Sequence, residues 1–238
     1  MFKKMLKRIL AVVLVVVAVG CVAFGVYASD YYHAGSEAAA FIAQADVTDN
    51  DSAIAVGDPS SEYGLVLYPG GKVAPEAYVP LAQKLAERGV FVVIPKMPFN
   101  LAVFKIDAAN SVMETYAGVA HWWVGGHSLG GAMAASYAAG NASKVEGVAL
   151  LAAYASDDLA ALGLKVEVVY GSNDGVVNRD KLNACIDQVP ADSVLQIAGG
   201  NHAGFGDYGA QSGDNEATIS ADEQQEQTAA AIAAAMKG

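Results

Sequence analysis

Hydrophobic and polar positions divide this chain into three stretches. Ile9 to Ala28 is twenty residues without a charge, and as a helix it spans roughly 30 Å, about the hydrocarbon thickness of a bilayer. Asp30 to Ser61 is polar and alanine-containing, with turn punctuation at Asp49-Asn50-Asp51 and Asp58-Pro59-Ser60-Ser61. That stretch predicts a short helix over Ala38–Ala45 and a first edge strand over Ser52–Val56. From Tyr63 onward, short apolar runs alternate with amphipathic ones. Tyr63–Tyr68, Val90–Ile94, His121–Gly125, Val145–Leu151, Lys165–Tyr170 and Ser193–Ile197 read as strands buried on both faces. Helices are predicted over Ala77–Arg88, Asp107–Tyr116, Leu129–Ala139, Asn178–Ile186 and Ala221–Met236. Lys96–Phe104 is an apolar, proline-containing loop, and Ala198–Asp214 is too rich in glycine for regular structure. Strands alternating with helices imply an α/β fold, a mostly parallel central sheet with helices on both faces.

Composition agrees with a sizeable core, at 54% hydrophobic and 16% charged residues. The net charge is −11, and the four basic residues before position 30 (Lys3, Lys4, Lys7, Arg8) leave −15 for the remainder. A body so acidic is repelled by nucleic acid and by anionic lipid, so neither is expected as a partner. Cys21 and Cys185 form no disulfide framework, because Cys21 lies inside the apolar run. No Cys/His cluster has zinc-ligand spacing, and no metal or cofactor is expected. Residues 1–29 are read as a membrane anchor or signal segment, 30–61 as a stem and edge strand, and 62–238 as the main domain. The apolar run exceeds the ~7–15 residues of a usual signal-peptide core, which favours an uncleaved anchor. Ala28 and Ser29 leave secretion after cleavage as the alternative. The basic cluster stays cytoplasmic, so the domain is expected to face outward.

The stretch with the most chemical content is Trp122-Trp123-Val124-Gly125-Gly126-His127-Ser128-Leu129-Gly130-Gly131. Gly126-His127-Ser128-Leu129-Gly130 fits the pattern in which a serine occupies a sharp turn between strand and helix, with glycines where a Cβ would clash. By itself such a match often arises by chance. In open parallel sheets, functional groups gather beyond the carboxyl ends of the strands. There this chain places Pro69-Gly70-Gly71-Lys72, Ser128, Gly171-Ser172-Asn173-Asp174-Gly175 and Gly199-Gly200-Asn201-His202.

With its order Ser, Asp, His, the set Leu65–Lys72, Gly126–Gly130, Gly171–Gly175 and Gly199–Gly204 resembles an α/β-hydrolase of the small, lidless kind, similar to dienelactone hydrolases and esterases. The resemblance spans Tyr63 to Gly238 and implies a catalytic triad of Ser128, Asp174 and His202. Tyr68-Pro69-Gly70-Gly71 stands where many relatives have His-Gly. The residue types suit the chemistry. A serine hydroxyl needs a base, histidine titrates near neutrality, and a carboxylate on its far nitrogen fixes the tautomer. Of the four histidines, His33 lies in the stem, His121 starts a strand, and His127 occupies the variable elbow position. Only His202 follows the last strand. Asp174 is preferred as the acid, with Asp157 and Asp158 as rivals that also fit a helix N-terminus.

An oxyanion hole would combine the backbone N–H of Leu129 with one from Gly71 or Lys72. The gap Ala152–Leu164 is too short for a folded lid, leaving an open pocket with Met97–Leu101, Tyr154 and Phe205–Tyr208 as candidate walls. The expected activity is hydrolysis of a small-molecule ester through an acyl-enzyme, at the outer face of the membrane. Acyl transfer by the same triad and a non-catalytic binding protein of the same fold are the alternatives. A dehydrogenase fits poorly, because Asn141 stands near the place where a dinucleotide site wants an acid. Nothing in the sequence specifies an oligomeric state.

Overall fold

A computed structural model describes residues 2–44 and 46–238. It has two compact units, residues 1–31 and residues 32–238. The first is a single helix, α1, Phe2–Ser29, in which Lys4–Ser29 is long and apolar enough to cross a membrane. Its most apolar window is not buried inside the protein, as expected of a helix apolar on every side that is made for a membrane.

The second unit is built on an eight-stranded sheet. In chain order the strands are β1 (Val47–Asp49), β2 (Ala53–Val56), β3 (Tyr63–Tyr68), β4 (Val90–Pro95), β5 (His121–His127), β6 (Gly147–Leu151), β7 (Lys165–Gly171) and β8 (Val194–Ile197). Their spatial order is β1-β2-β4-β3-β5-β6-β7-β8. The pairs β1–β2 and β2–β4 are antiparallel and all others parallel. The helices are α2 (Ser36–Ile42), α3 (Val79–Ala86), α4 (Ala108–Thr115), α5 (Leu129–Gly140), α6 (Arg179–Ile186) and α7 (Ala221–Lys237).

Apolar runs become central strands because both faces of the sheet are covered. Leu65 and Leu67 point into the core beneath α3 and α7, while Val66 points into the opposite core beneath α4, α5 and α6. Val92 and Ile94 share the first core with Ala149 and Leu151, and Val93 shares the second with Val148 and Leu150. The period of two in side-chain direction is what makes every position apolar.

Two expectations shift. Ala53–Val56 is the second strand from the edge, and the outermost strand is Val47–Asp49. Its three residues carry no apolar alternation. It forms because Asn50 Oδ1 accepts the amides of Ser52 and Ala53 and closes a tight hairpin. The short stem helix runs Ser36–Ile42, and the expected end at Ala45 lies outside the described residues. The proline-containing loop holds two 3-10 turns, Pro98–Asn100 and Ala102–Phe104.

Among the buried positions that depart from the apolar rule, one is a carboxylate without a protein partner. Glu167 is 5% exposed, lies on the α7 side of β7 beside Ala149, and has no hydrogen-bond or ion-pair partner among the described residues. Burial, reinforced by the negative charge of Asp192, pushes its carboxyl up to about 7. The unfolded chain releases this proton from about 4.5, whereas the fold holds it until about 7. Ionisation therefore favours unfolding across that window, and stability falls as pH rises through it. Glu167→Gln should raise the melting temperature at pH 8 by a few degrees, for ~1–2 kcal/mol, and leave it unchanged at pH 4. Thermal unfolding followed at both pH values would show the difference vanish on acidification. An equal shift at both would contradict this account.

Candidate active site

Ser128 stands on the turn between β5 and α5 with φ +53 and ψ −122, outside the regions a side-chain-bearing residue prefers. Backbone crowding holds it there. A Cβ on Gly126 would lie 2.6 Å from the Tyr68 carbonyl oxygen, and one on Gly130 would lie 2.2 Å from that of Pro69. No other residue fits at either place, so the chain can approach β3 this closely only through glycine. The Ser128 amide donates to the Leu151 carbonyl at 2.9 Å and ties the turn to β6.

Asp174 lies just beyond the end of β7. Its Oδ1 accepts the amides of Val176 and Val177, both at 2.8 Å, and its Oδ2 is 2.8 Å from Nδ1 of His202. Burial alone would raise this carboxyl. The hydrogen bond and charge of His202, with the two amides, outweigh burial and hold it below its ordinary value. His202 follows β8 and is 1% exposed. With Nδ1 occupied by Asp174, its Nε2 is buried without a partner, in a cleft that Ser128 also lines.

This cleft holds about 210 Å³ and is walled by Leu129, Ala132, Tyr154, Val176 and Val177. Tyr154 thus borders it, as the sequence suggested for one of the walls. Phe205 and Tyr208 are instead buried in the core. Phe205 belongs to a 3-10 turn, Ala203–Phe205, within the glycine-rich stretch.

The candidate oxyanion amides differ in what they meet. The Leu129 N–H opens α5, where no intrahelical acceptor exists. The Lys72 N–H donates to the Asn100 carbonyl at 2.8 Å. The Gly71 N–H has no acceptor among the described residues, and a Cβ on Gly71 would lie 2.9 Å from the Leu129 side chain. The amides of Gly71 and Leu129 thus belong to neighbouring residues, while that of Lys72 holds the Pro98–Asn100 turn.

His121 falls elsewhere, whereas the ring of His127 packs against that of His202 with centroids 4.5 Å apart. His121 begins β5, at the opposite end from Ser128, between Glu62 and Glu146. Those carboxylates raise its pKa, the Glu146 hydrogen bond most. His127 is 1% exposed and meets the hydroxyl of Tyr78 through Nδ1 at 2.8 Å. Burial first, and then the charge of His202, push it well below the ordinary histidine range. Asp157 and Asp158 are exposed, and Asp158 caps a turn through the Ala161 amide.

Four residues that no motif flagged hold these groups in place. Arg179 donates to the carbonyls of Gly171, Ser172 and Asp174, pinning the loop that carries Asp174. Asp214 accepts from Gly175 through one oxygen and from Ala203 through the other, linking the Asp174 loop to the His202 loop. Gln224 is fully buried, accepts from the Asn201 amide and donates to the Asn201 carbonyl. Tyr78 accepts from the Gly70 amide while it meets His127. A signal existed for Gln224. It stands four residues before Thr228 and eight before Ile232, on the buried stripe of α7, where a polar residue is out of place.

Comparison with known proteins agrees with this architecture. Residues 64–226 match the alpha/beta hydrolase family. No curated protein matches the sequence. Among solved structures, Est1E from Butyrivibrio proteoclasticus is 14% identical with a TM-score of 0.59, over 81% of this chain and 98% of that one. A hydrolase from Thermoplasma acidophilum described as CIB-like is 16% identical with a TM-score of 0.58, over 80% and 98%. The esterase domain of a Rhodothermus marinus protein is 14% identical with a TM-score of 0.56, over 79% and 95%. At these identities the structures attest the fold, and the family match covers well over half the sequence: the chain belongs to the alpha/beta hydrolase family.

Proposed function

We propose that this protein is a serine hydrolase that cleaves small ester substrates through an acyl-enzyme intermediate. The observation that carries this reading is the state of His202, whose Nδ1 is bound to a buried carboxylate while Nε2 is left unpaired in the cleft with Ser128. In this reading Nε2 takes the proton from the Ser128 hydroxyl as Oγ attacks the ester carbonyl. Asp174 holds the tautomer with the proton on Nδ1 and stabilises the imidazolium that forms. The amides of Leu129 and Gly71 receive the oxyanion, since that of Lys72 already serves Asn100. His202 then protonates the leaving alcohol, and water, deprotonated in the same way, releases the acid.

The cleft, at about 210 Å³, is smaller than the ~300–1,000 Å³ of sites for drug-sized ligands. Short acyl groups suit it best. The Rhodothermus domain is named as an esterase, which supports an ester over an amide. We read residues 1–29 as the membrane anchor, 30–61 as the stem and edge strand, and 62–238 as the hydrolase domain. The domain lies on the outer side, because the basic residues Lys3, Lys4, Lys7 and Arg8 precede the apolar span.

Four measurements test this. A fluorophosphonate probe should label the wild-type protein and not Ser128→Ala; labelling that persists in the variant would overturn the assignment. Asp174→Asn should lower kcat by about 10⁴ with the fold intact, since the wrong histidine tautomer is then favoured. A loss under tenfold would remove Asp174 from the role. Across p-nitrophenyl esters, kcat/KM should fall by ~10-fold or more from butyrate to decanoate, and a rising series would exclude the small-acyl reading. Protease added outside spheroplasts should digest the domain if the orientation is right.

A further inference from the structure

At the far end of the sheet from Ser128 lies a groove of about 650 Å³. It opens at the start of β7 and runs along the C-terminal turns of α7. Most of its wall is apolar, including Leu164, Val189, Leu195, Ala231 and Ala235. Three charged residues border it, Lys165, Glu167 and Asp192, so its balance is negative. The indole of Trp123, itself fully buried, lies behind its inner wall. That ring lies across Gly147, where a Cβ would come within 2.6 Å of it, and the glycine is what lets it reach toward β7.

Glu167 sets this groove apart from an ordinary surface depression. It is 95% buried and borders the groove, yet no hydrogen bond or ion pair among the described residues engages its carboxylate. Acids this buried are ordinarily paired, because lost hydration must be replaced; the oxygens of Glu167 keep some contact with solvent but have no protein partner among the described residues. Neither neighbour supplies the pairing. Asp192 repels it, and Lys165 makes no ion pair with it among the described residues. The Trp123 Nε1 is likewise buried without an acceptor. An acid without a protein partner, set between apolar flanks, favours a positive charge on an apolar body.

We propose that this groove binds a small organic ammonium ion, whose charged nitrogen pairs with Glu167 and whose alkyl part lies against the apolar wall. The nitrogen would complete the hydrogen bonding that the fold leaves open on this carboxylate. Asp192 adds attraction from the mouth, and Lys165 opposes it. The site is independent of the Ser128 cleft, since the two share no lining residue.

The test is calorimetric titration of the full-length, detergent-solubilised protein with n-butylammonium chloride at pH 8 and low salt. Saturable binding is expected, with n-butanol, the neutral analogue of similar size, at least ~10-fold weaker. Glu167→Gln should weaken n-butylammonium by ~10-fold or more while staying folded, with a melting temperature no lower than that of the wild type, and Lys165→Gln should tighten it. Ala235→Phe, which fills the groove without touching a charge, should abolish binding, whereas Ser128→Ala should bind as wild type does. Absence of saturable binding up to ~10 mM, equal binding of the alcohol, or undiminished binding by Glu167→Gln would each overturn the proposal.

Discussion

The architecture of the site depends on one steric constraint, the close passage of the β5–α5 turn against the end of β3. The carbonyls of Tyr68 and Pro69 lie so near Gly126 and Gly130 that a methyl group at either glycine would sit inside van der Waals contact. This crowding leaves Ser128 no relaxed conformation and holds it at φ +53. It also fixes where the first N–H of α5 points and brings Leu129 against Gly71. Serine, helix terminus and the loop after β3 are therefore placed by the same contact. A change in any one would be transmitted to the other two, because packed backbone has no slack to absorb it.

The remaining groups are positioned by hydrogen bonds between loops. Neither the Asp174 loop nor the His202 loop belongs to regular structure, yet both are held. Arg179 gathers three carbonyls of the first, Gln224 clamps Asn201 in the second, and Asp214 joins them with one oxygen each. Loops of this kind carry function on a rigid frame, and here α7 supplies part of that frame through a buried glutamine. The helix thus contributes to the geometry of a site that none of its residues lines. The fold determines how firmly His202 and Asp174 are held, and the chemistry follows from that firmness.

How much of this could be read beforehand varied with the physics involved. The six apolar runs from Tyr63 onward were legible because sheet burial on both faces leaves no room for polar residues. The α/β class follows from their alternation with helices. The outer strand Val47–Asp49 was illegible, since one edge is solvated and a hairpin closed by the Asn50 side chain needs no apolar pattern. The candidate site was legible where its chemistry demands particular residue types in a particular order, as for Ser128, Asp174 and His202. The supporting residues were not. A carboxylate such as Asp214, which bridges two amides 28 positions apart in the chain, looks in sequence like any acid in a glycine-rich loop. Between Gly71 and Lys72 the sequence could not decide. What separates them is the bond from the Lys72 amide to Asn100, a contact with a turn nearly thirty residues away.

Two buried carboxylates in this molecule show how environment, rather than residue type, sets chemical character. Asp174 and Glu167 lie at the ends of the same strand, and each is 5% exposed. Asp174 receives two amides and a histidine nitrogen, so its charge is stabilised despite burial. Glu167 receives nothing and faces another acid, so its charge is penalised and its proton is held up to about 7. The fold has placed three nitrogen donors around the carboxylate at one end of β7 and none around the one at the other. A carboxylate so supplied can orient a neighbour but has little further affinity to offer. One without such donors can still accept a cation, and it lowers the stability of the protein at neutral pH until a cation arrives. The destabilisation and the binding capacity at Glu167 therefore have a single origin, the missing partner.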